Sequence, residues 1–248
     1  MSVDPGADPG ADPGADLSVI TVSFNDAPGL QRTLRSLAAL AHRPREVIVV
    51  DGGTPAALLA GVPQWADGLR LTLVSEPDRG IYDAMNKGLA RARGRLLHYL
   101  NGGDTVLGEP YAALGGPCRL PVTMRDPATG RQWQDTVKLA GLGYCHQGVI
   151  VPAGHRPYDL HYRLCADLDL LAELFPAGLQ TLPLATGGGV DYALGGLSSQ
   201  RLAQVHAELR QIARRRLGWR RRWVVEGQLA AKSLLPRGLR RALRAAIG

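Results

Sequence analysis

The sequence predicts an α/β fold: a mainly parallel sheet with helices on both faces, followed by a helical C-terminal tail. Three observations predict it. Short apolar runs rich in β-branched residues alternate with stretches whose apolar residues recur at helical spacing, which is the pattern of βαβ units. The 248 residues are 45% hydrophobic, enough to bury one sizeable core. Each apolar run ends in a polar cluster, and a parallel sheet gathers such ends on one edge.

In chain order, residues 4–16 repeat Asp-Pro-Gly-Ala three times and close on Asp16, with nothing larger than Ala or Pro to bury, so this segment is expected to be disordered. Residues 17–23 (LSVITVS) make the first buried strand. Asp26 then offers an N-cap, Pro28 suits a first turn, and Leu30, Leu34, Leu37 and Ala41 follow at helical spacing. Residues 46–50 (EVIVV) form the second strand, ended by Asp51-Gly52-Gly53, and residues 69–74 form the third. Residues 81–93 read as a helix, and 95–100 (RLLHYL) as a fourth strand ended by Asn101-Gly102-Gly103-Asp104. The rim clusters are Ser23/Asn25/Asp26, Asp51, Glu76/Asp78/Arg79 and Asn101/Asp104. One such cluster is what any turn would carry; four along one rim point to a binding edge.

Several function classes are excluded. Cys118, Cys145 and Cys165 are too few and too scattered for a disulfide framework, read as packing residues, and fit a reducing compartment. No apolar run approaches the roughly 18 residues of a membrane span, and the N-terminus lacks the pattern of a secretory signal, so a cytosolic location is expected. The first turn has neither Gly-x-Gly-x-x-Gly nor a P-loop. A phosphate on this rim would therefore be neutralised through carboxylates and a divalent cation, Mg2+ or Mn2+.

These residues also carry a resemblance. TVSFN at 21–25, VIVVDGGT at 47–54 and SEPDRGIYDAMNKGLARARGRLLHYLNGGD at 75–104 resemble the donor half of family-2 glycosyltransferases, close to the bacterial branch that builds exopolysaccharide and lipopolysaccharide. Cys145-His146-Gln147, Tyr158-Asp159 and the run 165–170 (CADLDL) are similar to that branch's acceptor-side motifs, and Gly195-Gly196-Leu197-Ser198 to its closing motif. The resemblance is strong over 17–104, moderate over 144–200 and weak over 105–143. It implies a GT-A, Rossmann-like fold whose residues 17–104 bind the nucleotide sugar and 105–200 the acceptor.

It also implies roles. Asp51 matches the aspartate that contacts the base, Ser23 and Asn25 border the nucleotide, and Asp78 and Arg79 edge the base and phosphates. Asp104 matches the last carboxylate of the metal-binding DxD motif. Here LNGGD departs from the fuller pattern, with Asn101 and Gly103 where other members have acids. One carboxylate still suffices if diphosphate and water complete an octahedron. Asp167 matches the catalytic base of an inverting hexosyltransferase, with Ala166 replacing a glutamate and Asp169 as the second choice. On a helix these two aspartates point about 200° apart, so only one can face the cleft. Tyr82, Asp83 and Asn86 share a helical stripe that would face the donor sugar, with Lys87 one position beyond; the plainer reading of Asp83 and Lys87 is an i,i+4 ion pair. His146 and Gln147 are candidates for orienting the acceptor, and His146 alternatively for a phosphate, although a lone histidine is as readily a hydrogen-bonded core residue. The implied donor is a UDP-sugar.

The basic charge is a C-terminal property. Residues 201–248 hold 13 Lys and Arg against Glu208 and Glu226, a net +11, whereas the first 200 hold 16 basic and 20 acidic side chains, a net −4. Leu239, Ala242, Leu243, Ala246 and Ile247 form an apolar stripe beside arginines. Upstream, Leu202, Val205, Leu209 and Ile212 form another, followed by Arg214-Arg215-Arg216 and Trp219-Arg220-Arg221-Arg222-Trp223. Arginine beside tryptophan suits an anionic membrane, where a lipid-linked acceptor would reside. For 201–213, packing on the catalytic domain is an equal alternative. Two other functions are weighed. A sugar-nucleotide-making nucleotidyltransferase would show a basic, glycine-rich first loop, which SFNDAP is not; a nucleic-acid-binding module leaves the rim clusters as accidents.

Overall fold

The computed structural model describes residues 16–195 and 201–234. Strand β1 (Leu17–Ser23) is buried along its whole length and pairs in parallel with β2 (Glu46–Asp51) on one side and β4 (Leu96–Tyr99) on the other. β3 (Leu71–Ser75) extends the parallel set beyond β2. β9 (Val149–Pro152) runs antiparallel to β4, and β6 (Cys118–Arg119) antiparallel to β9. Among the described residues this gives a six-stranded sheet in the order β3-β2-β1-β4-β9-β6. The four early strands are thus parallel neighbours, and their carboxyl ends share one edge as expected.

Between β1 and β2 runs α1 (Ala27–Ala38), capped by Asp26, whose Oδ1 accepts the Gly29 N–H at 2.9 Å. Its Leu30, Leu34 and Leu37 are fully buried against the sheet. Two single-turn helices, α2 (Ala56–Leu59) and α3 (Val62–Trp65), bridge to β3. Helix α4 (Ile81–Leu89) begins after Gly80, whose φ of +121° lies where only glycine is comfortable. It lies close on β1: a Cβ at Gly88 would sit 2.5 Å from Ile20 Cγ2. The helix expected over 81–93 stops four residues early, because Gly94 must pass against the Ser18 backbone to enter β4.

A second sheet, not expected from the sequence, has the order β5-β10-β7-β8, formed by β5 (Thr105–Gly108), β7 (Val122–Arg125), β8 (Gln132–Gln134) and β10 (Gly188–Ala193). Helix α5 (Ala166–Leu174) follows β9. The C-terminal segment forms α6 (Leu202–Arg216), packed on α5, and α7 (Trp219–Leu234), packed on α6 and on the turn at Leu139–Gly141. The packed alternative for 201–213 is therefore the one observed. The repeat up to residue 15, the 196–198 part of the closing motif and the stripe over 237–247 lie outside the described residues.

Candidate functional site

The rim is built at the ends of β1, β2 and β3, where Ser23, Asp51 and Ser75 are consecutive ladder partners. Asp51 is fully buried and organises its surroundings. Its Oδ2 accepts from the N–H groups of Gly53 (3.0 Å) and Thr54 (2.7 Å) and from Ser75 Oγ (2.9 Å), and its Oδ1 from Thr54 Oγ1 (2.6 Å). Thr54 Oγ1 in turn accepts the Asn25 N–H at 2.8 Å, which holds Asn25 at φ +51°. Asp51 thus ties two rim loops together. Asp78 accepts the Gly80 N–H and reaches over Gly52, next to Phe24, which is 65% exposed. Beside them, Ser23 Oγ, Thr21 Oγ1 and Asn101 Oδ1 are buried without a hydrogen-bond partner. Buried polar atoms are rarely left so, and two on β1 with a third just past the end of β4 mark a place prepared for polar ligand atoms.

The turn after β4 is clamped by α1. Thr33 Oγ1 donates to the Asp104 carbonyl at 2.7 Å and accepts the Gly103 N–H at 3.0 Å. Asp104 is 5% exposed and, among the described residues, its carboxylate accepts one long bond, 3.3 Å, from the Ala193 N–H. Burial, reinforced by the Asp191 carboxylate, pushes its pKa up to about 7. Asp191 itself pairs with Arg125 at 3.1 Å. A buried carboxylate so poorly compensated fits a cation. Among the described residues no three His, Cys, Asp or Glu side chains converge on one point.

Across the site, Asp167 stands in the first turn of α5 and accepts the Tyr82 hydroxyl at 2.8 Å. Burial raises its pKa to about 6, against the Tyr82 hydrogen bond, which lowers it. Asp169 points elsewhere, as the helical period requires. It is fully buried between Arg216, bonded at 2.7 and 2.9 Å, and Arg156 at 2.5 Å. Although burial works the other way, these guanidiniums hold its carboxyl below the usual range. Burial first, then the charges of Asp104, Asp135 and Asp167, push the Cys145 thiol's pKa well up.

Other expectations are corrected. Tyr82, Asp83 and Asn86 do not face one ligand together. Asp83 holds the loop before α4, pairing with Arg79 at 3.0 Å and Lys87 at 4.0 Å, while Lys87 also reaches Glu76 and the Pro77 carbonyl. Tyr82 and Asn86 face residues 158–167 instead, Asn86 exchanging two bonds with the Tyr158 backbone. His146 is a buried ring, bonded through Nε2 to the Tyr158 hydroxyl and stacked on Tyr99. Burial lowers its pKa to about 3, so it brings no positive charge to a phosphate. Gln147 is also buried, accepting the Cys145 thiol at 3.1 Å. Arg214, Arg215 and Arg216 pair with Glu226, Asp159, and Asp169 with Glu173, so this triplet joins elements of the fold rather than standing free as a basic patch.

The residues sequence reasoning missed are Thr33, Asp135, Asp191, Phe24 as an exposed ring, and Glu208. Only Phe24 carried a signal, an aromatic side chain just past the end of a buried strand.

The comparisons with known proteins agree with this fold. A family model described as glycosyl transferase family 2 matches residues 18–108. An uncharacterized glycosyltransferase of Mycobacterium tuberculosis is 46% identical over 98 residues, 39% of this chain and 37% of that protein, so the chain matches little more than a third of that relative's length. A PGL/p-HBAD biosynthesis glycosyltransferase of Mycobacterium bovis is 32% identical over 178 residues, 64% of this chain and 69% of the relative. Among solved structures, Staphylococcus aureus TarS 1-349 in complex with UDP-GlcNAc aligns over 80% of this chain and 65% of its own, with a TM-score of 0.56 at 15% identity. The Pyrobaculum calidifontis mannosyltransferase PcManGT in complex with GDP-Man and Mn2+ aligns over 94% and 80%, with a TM-score of 0.57 at 17% identity.

Proposed function

Because the chain belongs to glycosyl transferase family 2, we propose that it moves a sugar, with inversion, from a UDP-sugar to a hydroxyl of a lipid-linked glycan in cell-surface polysaccharide synthesis. The observation that carries this reading is a pair of carboxylates: Asp104, buried just past the end of β4, and half-buried Asp167, held on the Tyr82 hydroxyl at 2.8 Å, each with its proton affinity raised by burial.

In this reading the exposed face of Phe24 stacks the base beside Asp78, and Asp51 serves through the loops it holds rather than through a free oxygen. Asp104, with Asn101 Oδ1 nearby in the same turn, would hold Mg2+ or Mn2+. When bound, the cation neutralises charge growing on the leaving diphosphate. Asp167 takes the proton of the acceptor hydroxyl as its oxygen bonds to the anomeric carbon; the bond from that carbon to the phosphate oxygen breaks, and its electron pair leaves with the diphosphate. Tyr82 holds one oxygen of Asp167 and leaves the other to face the acceptor. A screen of nucleotide sugars should show release of UDP with Mn2+ or Mg2+ and loss of release on adding a chelator; release of pyrophosphate from a nucleoside triphosphate would instead support the nucleotidyltransferase.

No helix among the described residues is long and apolar enough to cross a membrane. The membrane contact proposed here is peripheral, on the inner face, and narrower than the whole tail. On α7, Val225 and Leu229 are buried and Arg221 donates to the Ala140 and Pro176 carbonyls. The outer face presents Trp219 and Trp223, each 69% exposed, with Val224, Arg222, and Arg220 lying 5.2 Å over the Trp219 ring. Rings at headgroup depth beside arginines fit anionic lipid. The double variant Trp219→Ala/Trp223→Ala should sediment with phosphatidylglycerol vesicles on the order of tenfold more weakly than the parent. Equal sedimentation would remove α7 from the contact. Cutting the chain at Gln200 is a poorer test, since it also removes α6.

A further inference from the structure

Helix α6 lies beyond the stretch that the family model matches, yet it brackets the candidate base. Helix α5 has no side-chain cap of its own. In its place, Glu208 of α6, only 7% exposed, accepts three successive backbone N–H groups just ahead of it: Arg163 at 3.1 Å, Leu164 at 2.9 Å and Cys165 at 2.9 Å. Gln204 Nε2 adds a fourth bond at 2.9 Å. A carboxylate is buried only where several donors compensate it, and here those donors belong to the segment leading into Asp167. Two turns further along α6, Arg216 grips Asp169 with two hydrogen bonds and pairs with Glu173, on the far side of Asp167 along α5. One helix therefore fixes the chain both before and after the base.

We propose that Glu208 and Arg216 are positioning residues of the transferase: α6 clamps the 163–173 segment so that the Asp167 carboxylate stays on the Tyr82 hydroxyl and faces the acceptor. The proposal rests on the reading of Asp167 as the base. The groups that face Asp167 are Tyr82 from α4, Glu208 from α6, and Tyr158, Cys145 and Cys165 from the segments around it. Of these, the Tyr82 hydrogen bond favours the ionised carboxylate and the Glu208 charge opposes it.

The opposition supplies a test that a purely structural cap would not pass. Glu208→Gln should lower kcat on the order of tenfold to a hundredfold, as misplacement of a reacting group does, with donor KM nearly unchanged. It should also move the acid limb of the rate profile to lower pH, whereas Tyr82→Phe moves it to higher pH. Arg216→Lys should keep more turnover than Arg216→Met. Wild-type kcat and an unmoved limb in Glu208→Gln would overturn the proposal, as would a loss that merely tracks the folded fraction seen by circular dichroism. If Glu208→Gln does not fold, Glu208→Asp keeps the charge with a shorter reach and should lower kcat without moving the limb; wild-type kcat there would equally overturn it. Asp167→Asn, measured alongside, separates the two failures. An inactive Asp167→Asn with an unaltered Glu208→Gln removes the clamp alone, and an active Asp167→Asn removes the base assignment and the clamp with it.

Discussion

Asp167→Asn is expected to lower kcat by about a hundredfold to ten-thousandfold, the range that a positioned general base supplies, while leaving affinity for UDP unchanged. The substitution keeps the shape and the contact with Tyr82 but removes the proton acceptor. In the wild type the same carboxylate sets a pH limb. Its pKa is raised to about 6 by burial, and the base works only when ionised, so with Mn2+ saturating throughout kcat/KM should be full above that value and fall as pH drops through it. Initial rates of UDP release with acceptor present, from pH 5 to 8, check both. A variant that turns over at the wild-type rate would exclude Asp167 as the base.

Asp104→Asn is expected to abolish the cation-dependent part of donor binding and to lower kcat by about a hundredfold to a thousandfold, as loss of one preorganised electrostatic contact to a developing charge does. Calorimetry with UDP and Mn2+ reads the binding directly. The direction of the pH dependence follows from burial, which raises the Asp104 carboxyl to about 7. Because a proton and a cation compete for it, apparent Mn2+ affinity should weaken as pH falls below that value, by about tenfold per unit if this one carboxylate controls binding. Undiminished Mn2+-dependent binding in the variant would remove Asp104 from the site.

The parts of the fold legible in the sequence are those where local signals and burial agree. β1, β2 and β4 are continuous β-branched or leucine runs because both faces of a central parallel strand are covered. Asp26 and Pro28 start α1 as an N-cap and first-turn proline should. The second sheet was not legible. Its strands run from three to six residues, and segments such as Gln132–Gln134 show no alternation to read. The rim positions of Ser23, Asp51, Asn101 and Asp104 were legible because strand ends fix them. Their partners were not: Asp104 is approached by Ala193 and Asp191, and Asp167 by Tyr82 and the Glu208 clamp, across separations that only the folded topology closes. The charge pattern misled in one respect. The run 214–216 reads as a basic patch, but its arginines pair with carboxylates of α5, α7 and Asp159.

The most direct measurement is a crystal structure of the full chain with UDP and Mn2+. The ion is expected on the Asp104 carboxylate, the diphosphate over the ends of β1 and β4 beside Ser23 and Asn101, the base near Phe24, and Asp167 across the cleft from the diphosphate. Nucleotide bound with Asp104 uninvolved, or Asp167 on the same side as the diphosphate, would contradict it.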